Sequence, residues 1–310
     1  MPTFSDRARR AVLGGVLVPF ILAACSTSAS PAPTDTPSPT ATPEVTPAPS
    51  PTPAPVSVLL EVTSEGGFIN PSASLAALPT VVVYADGRIM TPGTPPSGSI
   101  DALITPVSVR DVGATGAAAI LAAIQSVGLD KPATGDPGVS ADSGTTVFTV
   151  TSAAGAPVIT RFAASGPGGG PGGPGLPGVG GSDNPERTAA FDLLNQLLDT
   201  TDTWGAAGAP ETTLSPLGYR VFAAPGAPAG DGSTEVPAIA WPLATSLADF
   251  GTPAVPDRGV TGLRSGVVVG ADARTLASAL ATATASTAIT SGGASFTLWV
   301  RALLPHELPG

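Results

Sequence analysis

The sequence predicts an α+β fold in which antiparallel hairpins carry about three amphipathic helices packed on one or more sheets. Three observations predict it. Two β-branched runs are each followed by turn residues and a second strand-like run, three segments repeat apolar residues at helical spacing, and a final run alternates as a strand does. These patterns occupy residues 57–310, which we expect to form the globular domain.

The two hairpins are expected in residues 80–91 and 145–163. In TVVVYADGRIMT, a β-branched run meets Asp86-Gly87 and is followed by a second short strand, which is a strong hairpin signal. In TTVFTVTSAAGAPVITRFA, residues 147–151 alternate as in a half-buried strand, and a second strand follows the turn residues. Both segments therefore predict antiparallel pairing.

The first helix is expected in residues 115–127, where Gly128 is placed to end it. Its apolar face would consist of Ile120, Leu121, Ile124 and Val127. The second is expected in residues 182–199, with Asp183 or Asn184 as its cap and Pro185 at its first position. Its buried stripe would consist of Ala190, Phe191, Leu194 and Leu198.

The third helix is expected to follow a strand within residues 265–280. Asp272 would cap this helix, and Leu276 and Leu280 lie one turn apart. A last strand is expected in residues 296–304, where Phe296, Leu298 and Val300 share one face. Between the second hairpin and the second helix, residues 165–184 are rich in glycine and proline, which predicts a flexible excursion and a possible subdomain boundary.

Residues 1–24 have the organisation of a signal peptide. Three arginines precede the wholly apolar and uncharged run of residues 11–24. Fourteen helical residues span about 21 Å, which is short of the ~30 Å hydrocarbon core of a bilayer. Cys25 follows this run and is the only cysteine, so no intramolecular disulfide is possible.

Leu22-Ala23-Ala24-Cys25 resembles the lipobox of bacterial lipoproteins. The resemblance implies that Leu22, Ala23 and Ala24 are recognised by the signal peptidase and that Cys25 carries a diacylglyceryl anchor with acyl chains such as palmitate. We therefore expect the protein on the extracytoplasmic face of the cell membrane. The alternative is an ordinary secretory signal cleaved after Ala24, and the export route, general or twin-arginine, stays open.

Residues 25–56 are expected to form the lipidated cysteine and a disordered stalk rich in proline, threonine and serine. Ten of the 31 residues from 26 to 56 are proline, and large apolar side chains are nearly absent. Such a segment buries too little surface to fold, and proline-rich chain extends at ~3.1 Å per residue. The stalk would hold the domain away from the bilayer.

The net charge and the incomplete motifs of the chain disfavour several classes of function. The formal net charge is −10, which disfavours nucleic acid as a partner. No phosphate-binding glycine motif is complete, and His306 is the sole histidine, so we expect no catalytic, cofactor-binding or metal-ligating residues. The alternative is a cell-wall polysaccharide hydrolase that uses paired carboxylates. The acids available to it are Glu61, Glu65, Asp249 and Asp257.

Four short motifs occur in order along the body of the chain. They are Asp86-Gly87-Arg88, Trp241-Pro242-Leu243, Gly270-Ala271-Asp272 and Arg301-Ala302-Leu303-Leu304-Pro305. This order is similar to that of uncharacterised secreted lipoproteins of actinobacteria and Chloroflexi, although Arg264-Ser265 stands where that pattern has a cysteine. The resemblance implies location and fold.

The most economical interpretation is a non-catalytic envelope module that binds another envelope protein or a small ligand. Trp241 is a candidate contact residue, with core packing as its alternative role.

Overall fold

The computed structural model describes residues 57–66, 73–95, 102–132, 144–151, 155–163, 184–201, 204, 210–228, 237–254 and 260–309. The signal peptide, the lipobox with Cys25, the stalk, and residues 165–183 of the glycine-rich excursion lie outside them. The described residues form three α-helices and two mostly antiparallel sheets, which confirms an α+β fold in which sheet predominates.

The first sheet contains seven strands. In chain order they are β1 (Val58–Glu65), β2 (Val81–Tyr84), β3 (Arg88–Pro92), β5 (Val107–Asp111), β6 (Thr145–Thr151), β7 (Pro157–Ala163) and β8 (Thr212–Thr213). Their spatial order is β7-β6-β1-β2-β3-β5-β8, and all neighbours are antiparallel. The central strand β2 is buried on both faces.

The second sheet is built around two long neighbours. Its strands are β4 (Ile104–Thr105), β9 (Gly218–Pro225), β10 (Ile239–Ala240), β11 (Thr252–Pro253), β12 (Arg264–Val269), β13 (Ile289–Ser291) and β14 (Ala294–Ala302). The main order is β10-β13-β14-β9-β12-β11. The short strand β4 pairs in parallel with β14, and β10 pairs in parallel with β13.

The helices are α1 (Gly113–Ser126), α2 (Pro185–Leu198) and α3 (Gly270–Ala279), and 3₁₀ turns form at Ala73–Ala76 and Pro305–Glu307. One core cluster joins α1 and α2 to one face of the first sheet. A second cluster joins the opposite face of that sheet to one face of the second sheet and to α3. Among the described residues, no helix combines the length and the hydropathy needed to span a bilayer.

Both predicted hairpins are present, as β2-β3 and as β6-β7. In the first, Gly87 has φ +96°, a conformation that glycine adopts without a steric penalty. A Cβ atom at this position would lie 2.3 Å from the carbonyl oxygen of Gly113. The turn therefore also sets the start of α1 against the first sheet.

The predicted helices are present, with one error in capping and errors in two of the buried stripes. On α1, Ile120 and Ile124 are buried as expected, whereas Leu121 is half-buried and belongs to neither core cluster. Asn184 caps α2 and Pro185 follows it, as expected. The buried stripe of α2 includes Leu193 and Leu197, which the sequence did not single out, whereas Phe191 and Leu198 are only half-buried.

Asp272 does not cap α3, because the helix begins at Gly270 and its cap position is Val269. Gly270 has φ +65° and turns the chain directly from β12 into the helix, which leaves Asp272 inside the first turn. Leu276 and Leu280 are buried as expected.

Candidate functional site

The structure places Trp241 in the core between the sheets. Trp241 is only 8% exposed. Its ring packs edge to face against the ring of Phe250, with 5.6 Å between the two ring centroids. The indole N–H donates a hydrogen bond to the carbonyl oxygen of Thr245 at 2.8 Å. Trp241 therefore packs in the core, which was the alternative to a role as a contact residue.

The described acids named for a hydrolase have separate partners. Glu61 and Glu65 share one face of β1 but are four residues apart, so their Cα atoms are roughly 13 Å apart at ~3.3 Å per residue. Carboxyl groups of a glycosidase pair lie ~5 to ~9.5 Å apart. Glu65 instead faces Arg161 at 3.6 Å, and Asp249 accepts a hydrogen bond from Ser246 at 2.8 Å.

Asp257 lies outside the described residues. Within the described part of the chain, no group of three or more His, Cys, Asp and Glu side chains has an arrangement that would hold a metal ion.

A polar cluster forms where the C-terminal segment meets the first sheet. Nδ1 of His306 lies 2.9 Å from the hydroxyl oxygen of Tyr84, and Nε2 lies 3.9 Å from a carboxylate oxygen of Glu61. Burial raises the pKa of Tyr84 well above its usual value, so its phenol stays neutral and shares a hydrogen bond with Nδ1.

Glu307 completes this cluster through a two-pronged ion pair. Its carboxylate oxygens each lie 2.6 Å from a guanidinium nitrogen of Arg301, and one of them also accepts the backbone N–H of Leu304 at 3.0 Å. Burial acts to raise the pKa of Glu307, but the hydrogen bonds from Arg301 and Leu304 and the positive charge nearby outweigh it and lower the pKa.

This cluster fastens the end of the chain to the sheet. Tyr84 is completely buried, so its hydroxyl is not available to attack a substrate, and it shares a hydrogen bond with the imidazole. The guanidinium of Arg88 lies over the ring of Tyr84, 5.2 Å from the ring centroid. The sequence alone did not find this cluster, because Tyr84 and His306 are 222 residues apart.

A different surface lies on the second sheet, on the face that points away from the core. We call it the outward face. Along β9, Tyr219, Val221 and Ala223 point into the core, and the alternate residues point outward. The side chains of the outward face are Arg220 and Phe222 on β9, Val267 and Val269 on β12, and Trp299 and Arg301 on β14. None of the six belongs to either core cluster.

Exposed apolar residues concentrate at the end of the second sheet where β9 begins and β12 ends. Leu217 is 59% exposed, Val267 41% and Val269 43%, and they are three of the four large apolar residues that are exposed in the described chain. Gly218 pairs with Val269, and the carbonyl oxygen of Leu217 accepts the N–H of Gly270, so these residues adjoin. The opposite side of the same sheet, in contrast, is core.

Two depressions lie elsewhere on the second sheet. The larger, of about 380 Å³, is lined by Ala223, Pro225, Ala248, Pro253, Gly262, Leu263, Arg264 and Phe296. Arg264 is held at its edge, where it donates to the carbonyl oxygens of Phe250 and Gly251. The smaller, of about 270 Å³, is next to β4 and includes Trp299 in its wall. Both are predominantly apolar.

Comparison with protein families, with curated proteins and with solved structures finds no match for this chain.

Proposed function

We propose that this protein is a lipid-anchored, extracytoplasmic envelope protein whose globular domain is a non-catalytic binding module. The observation that carries the proposal is Leu22-Ala23-Ala24-Cys25, which places the only cysteine directly after a short apolar run and before a proline-rich segment. A thiol in this position serves as the attachment point of the anchor. Cell-envelope location follows from that chemistry.

Anchoring through Cys25 is energetically sufficient. Burial of an acyl chain contributes about 0.8 kcal/mol per CH₂ group, and two chains convert reversible binding into stable attachment. The chain has a formal net charge of −10, so anionic headgroups would repel the domain, and the anchor would supply the membrane attachment. The 31 residues that follow Cys25 would then act as a spacer at ~3.1 Å per residue.

The geometry of the domain supports binding over catalysis. Tyr84, His306 and Glu61 face one another, and Glu307 is committed to Arg301 and to the backbone of Leu304. Groups held in this way stabilise the C-terminal segment. The exposed apolar residues of the outward face are, by comparison, free of the two cores.

Metabolic labelling tests the anchor. The full chain, expressed in a bacterial host with lipoprotein processing, is expected to incorporate labelled palmitate and to fractionate with the membrane. Cys25→Ser should abolish both, whereas Ser28→Ala, a change three residues away, should leave both intact. Incorporation that persists in C25S, or none in the unaltered chain, would refute lipidation.

A turnover assay tests the binding role. We expect no release of fragments when the full chain is incubated with cell-wall polysaccharide. Release that Glu61→Gln or Glu65→Gln abolishes would replace the binding module with the carboxylate hydrolase considered above. Ser64→Ala, between the two acids on β1, is the matched control.

A further inference from the structure

We infer that the outward face of the second sheet docks an acidic peptide segment of another envelope protein, which presents a carboxylate to Arg220 among apolar side chains. The inference rests on the proposed function and names the partner class of the binding module. Four features of the surface support it: a guanidinium that has no counter-charge within the described residues, the absence of acids from three neighbouring strands, exposed apolar side chains, and two aromatic residues that are partners on neighbouring strands.

Arg220 occupies an unusual position on β9. Its Cα is paired with Val267 on one side and with Arg301 on the other. Arg301 is neutralised by Glu307, with 2.6 Å between the charged atoms. Nε of Arg220 is buried and has no hydrogen-bond partner in the described part of the chain. A buried donor without an acceptor costs about 1–3 kcal/mol. The side chain as a whole is half-buried, and none of the ion pairs within the described residues includes it, so a carboxylate on a partner would supply a counter-charge.

The three central strands of this sheet contain no acidic residue. β9, β12 and β14 contain three charged residues, and all three are arginine. Arg264 pairs with the inward-pointing Ala223, and Arg301 is paired with Glu307, so Arg220 is the outward-face charge of these strands that lacks a counter-charge within the described residues. Complementary charge suppresses wrong partners and steers right ones, which favours an acidic partner.

The surroundings of Arg220 suit a protein segment. The exposed residues Val267 and Val269 lie beside it on β12. Phe222 and Trp299 are paired across the strands and are both half-buried. Tryptophan and arginine are enriched among the residues that dominate binding energy at protein interfaces.

The same charges disfavour a second copy of this chain as the occupant. Two outward faces related by a two-fold axis present the same patch to each other. Each patch carries Arg220, which has no counter-charge within the described residues, so such a dimer would bury like charges instead of pairing opposite ones. An acidic peptide meets both the apolar and the charged parts of the surface.

Peptide selection tests the inference. The full chain, purified in detergent and checked for palmitate on the same preparation, is used to select from a random twelve-residue display library. We expect the enriched sequences to contain aspartate or glutamate beside valine, leucine, isoleucine or an aromatic residue. One such peptide and its carboxamide counterpart are then titrated by fluorescence anisotropy against the unaltered chain and its variants.

The variants separate charge recognition from folding. Arg220→Gln should weaken the acidic peptide about tenfold, which corresponds to ~1.4 kcal/mol. Arg220→Lys should retain part of the affinity, and Arg274→Gln on α3 should retain all of it, because Arg274 is an exposed helical arginine. Replacing the peptide carboxylate should weaken binding to the unaltered chain but not further weaken binding to R220Q.

Four results would overturn the inference. They are enrichment without excess acidic residues, equal affinities for R220Q and R274Q, Arg220-dependent binding to phosphatidylglycerol vesicles but not to phosphatidylcholine vesicles, and a dimer in light scattering that Val267→Thr disrupts. If the protein carries palmitate and any of these results is obtained, the lipid anchor is supported and the acidic peptide partner is rejected. If the protein carries no palmitate but binds the peptide through its carboxylate, the lipid anchor is rejected and the acidic peptide partner is supported.

Discussion

The two sheets differ in what covers their outer faces. On the first sheet, α1 and α2 pack over Phe148, which is completely buried and meets the rings of Phe162 and Phe191 edge to face. On the second sheet, Phe222 and Trp299 lie outside both cores and remain half-buried. The comparison teaches that an aromatic residue in a strand becomes a core residue only where another element packs over it, and Phe222 and Trp299 belong to neither core among the described residues.

The largest test of this comparison truncates one phenylalanine on each face. Phe148→Ala should lower the free energy of unfolding by about 4 kcal/mol, because it removes a completely buried ring and leaves a cavity among α1, α2 and the sheet. Phe222→Ala should cost about 1 kcal/mol, since solvent already reaches that ring. Urea unfolding of both variants gives the two values, and similar losses would remove the distinction between the faces.

The next test concerns the two arginines of the outward face, of which Arg301 alone has a counter-charge among the described residues. Glu307→Gln should lower the free energy of unfolding by about 2 kcal/mol at pH 7, because it removes a charge-assisted pair. The pKa of Glu307 is lowered in the folded protein. Its contribution is therefore present above the unfolded value of ~4.3 and is lost as the pH falls through the lower folded value.

The pH dependence separates this charge effect from a packing effect. The difference in unfolding free energy between the unaltered chain and E307Q should shrink as the pH falls below ~4.3. Glu211→Gln, an exposed change next to β8, should alter stability by less than ~0.5 kcal/mol. A difference that stayed constant down to pH 3 would show that the carboxylate charge is not what stabilises this corner.

Replacing Arg220 should change the free energy of unfolding in the opposite direction from replacing Glu307. Arg220→Met keeps the apolar stem and removes the guanidinium whose Nε has no partner in the described chain, so stability should rise by about 1 kcal/mol. Thermal unfolding should then shift upward by about 2–4 °C for a domain of this size. A loss of stability would mean that the guanidinium makes a favourable contribution to the fold.

Sequence patterns predicted the local elements better than their assembly. Alternation and turn chemistry gave both hairpins, because a strand pair and its turn are encoded within twenty residues, and helical spacing gave Leu276 and Leu280 on α3. The division into two sheets was not predicted. It depends on long-range pairing, such as that of β14 with both β9 and β4, and nothing local specifies that pairing.

The candidate surface was missed for a related reason. Val267 and Val269 belong to the run GVVVG, which matches a buried strand in the sequence, and only the three-dimensional arrangement shows that one face of β12 is exposed. Trp241 was considered for contact, and the structure gives it a covered position instead. Composition indicates which residues suit an interface, but burial depends on the neighbours that the whole fold supplies.

The smallest expected effect on stability comes from the middle of the outward face. Val267→Thr keeps the branched shape and the strand preference while replacing one methyl group with a hydroxyl, and the side chain is 41% exposed. The urea midpoint should therefore move by no more than the equivalent of ~0.5 kcal/mol. The matched change Val83→Thr, at a completely buried position on β2, should cost about 1–3 kcal/mol because its hydroxyl would enter the core beneath the helices. Equal costs would mean that Val267 is covered in solution, and the outward face would then be part of the core instead of a surface for a partner.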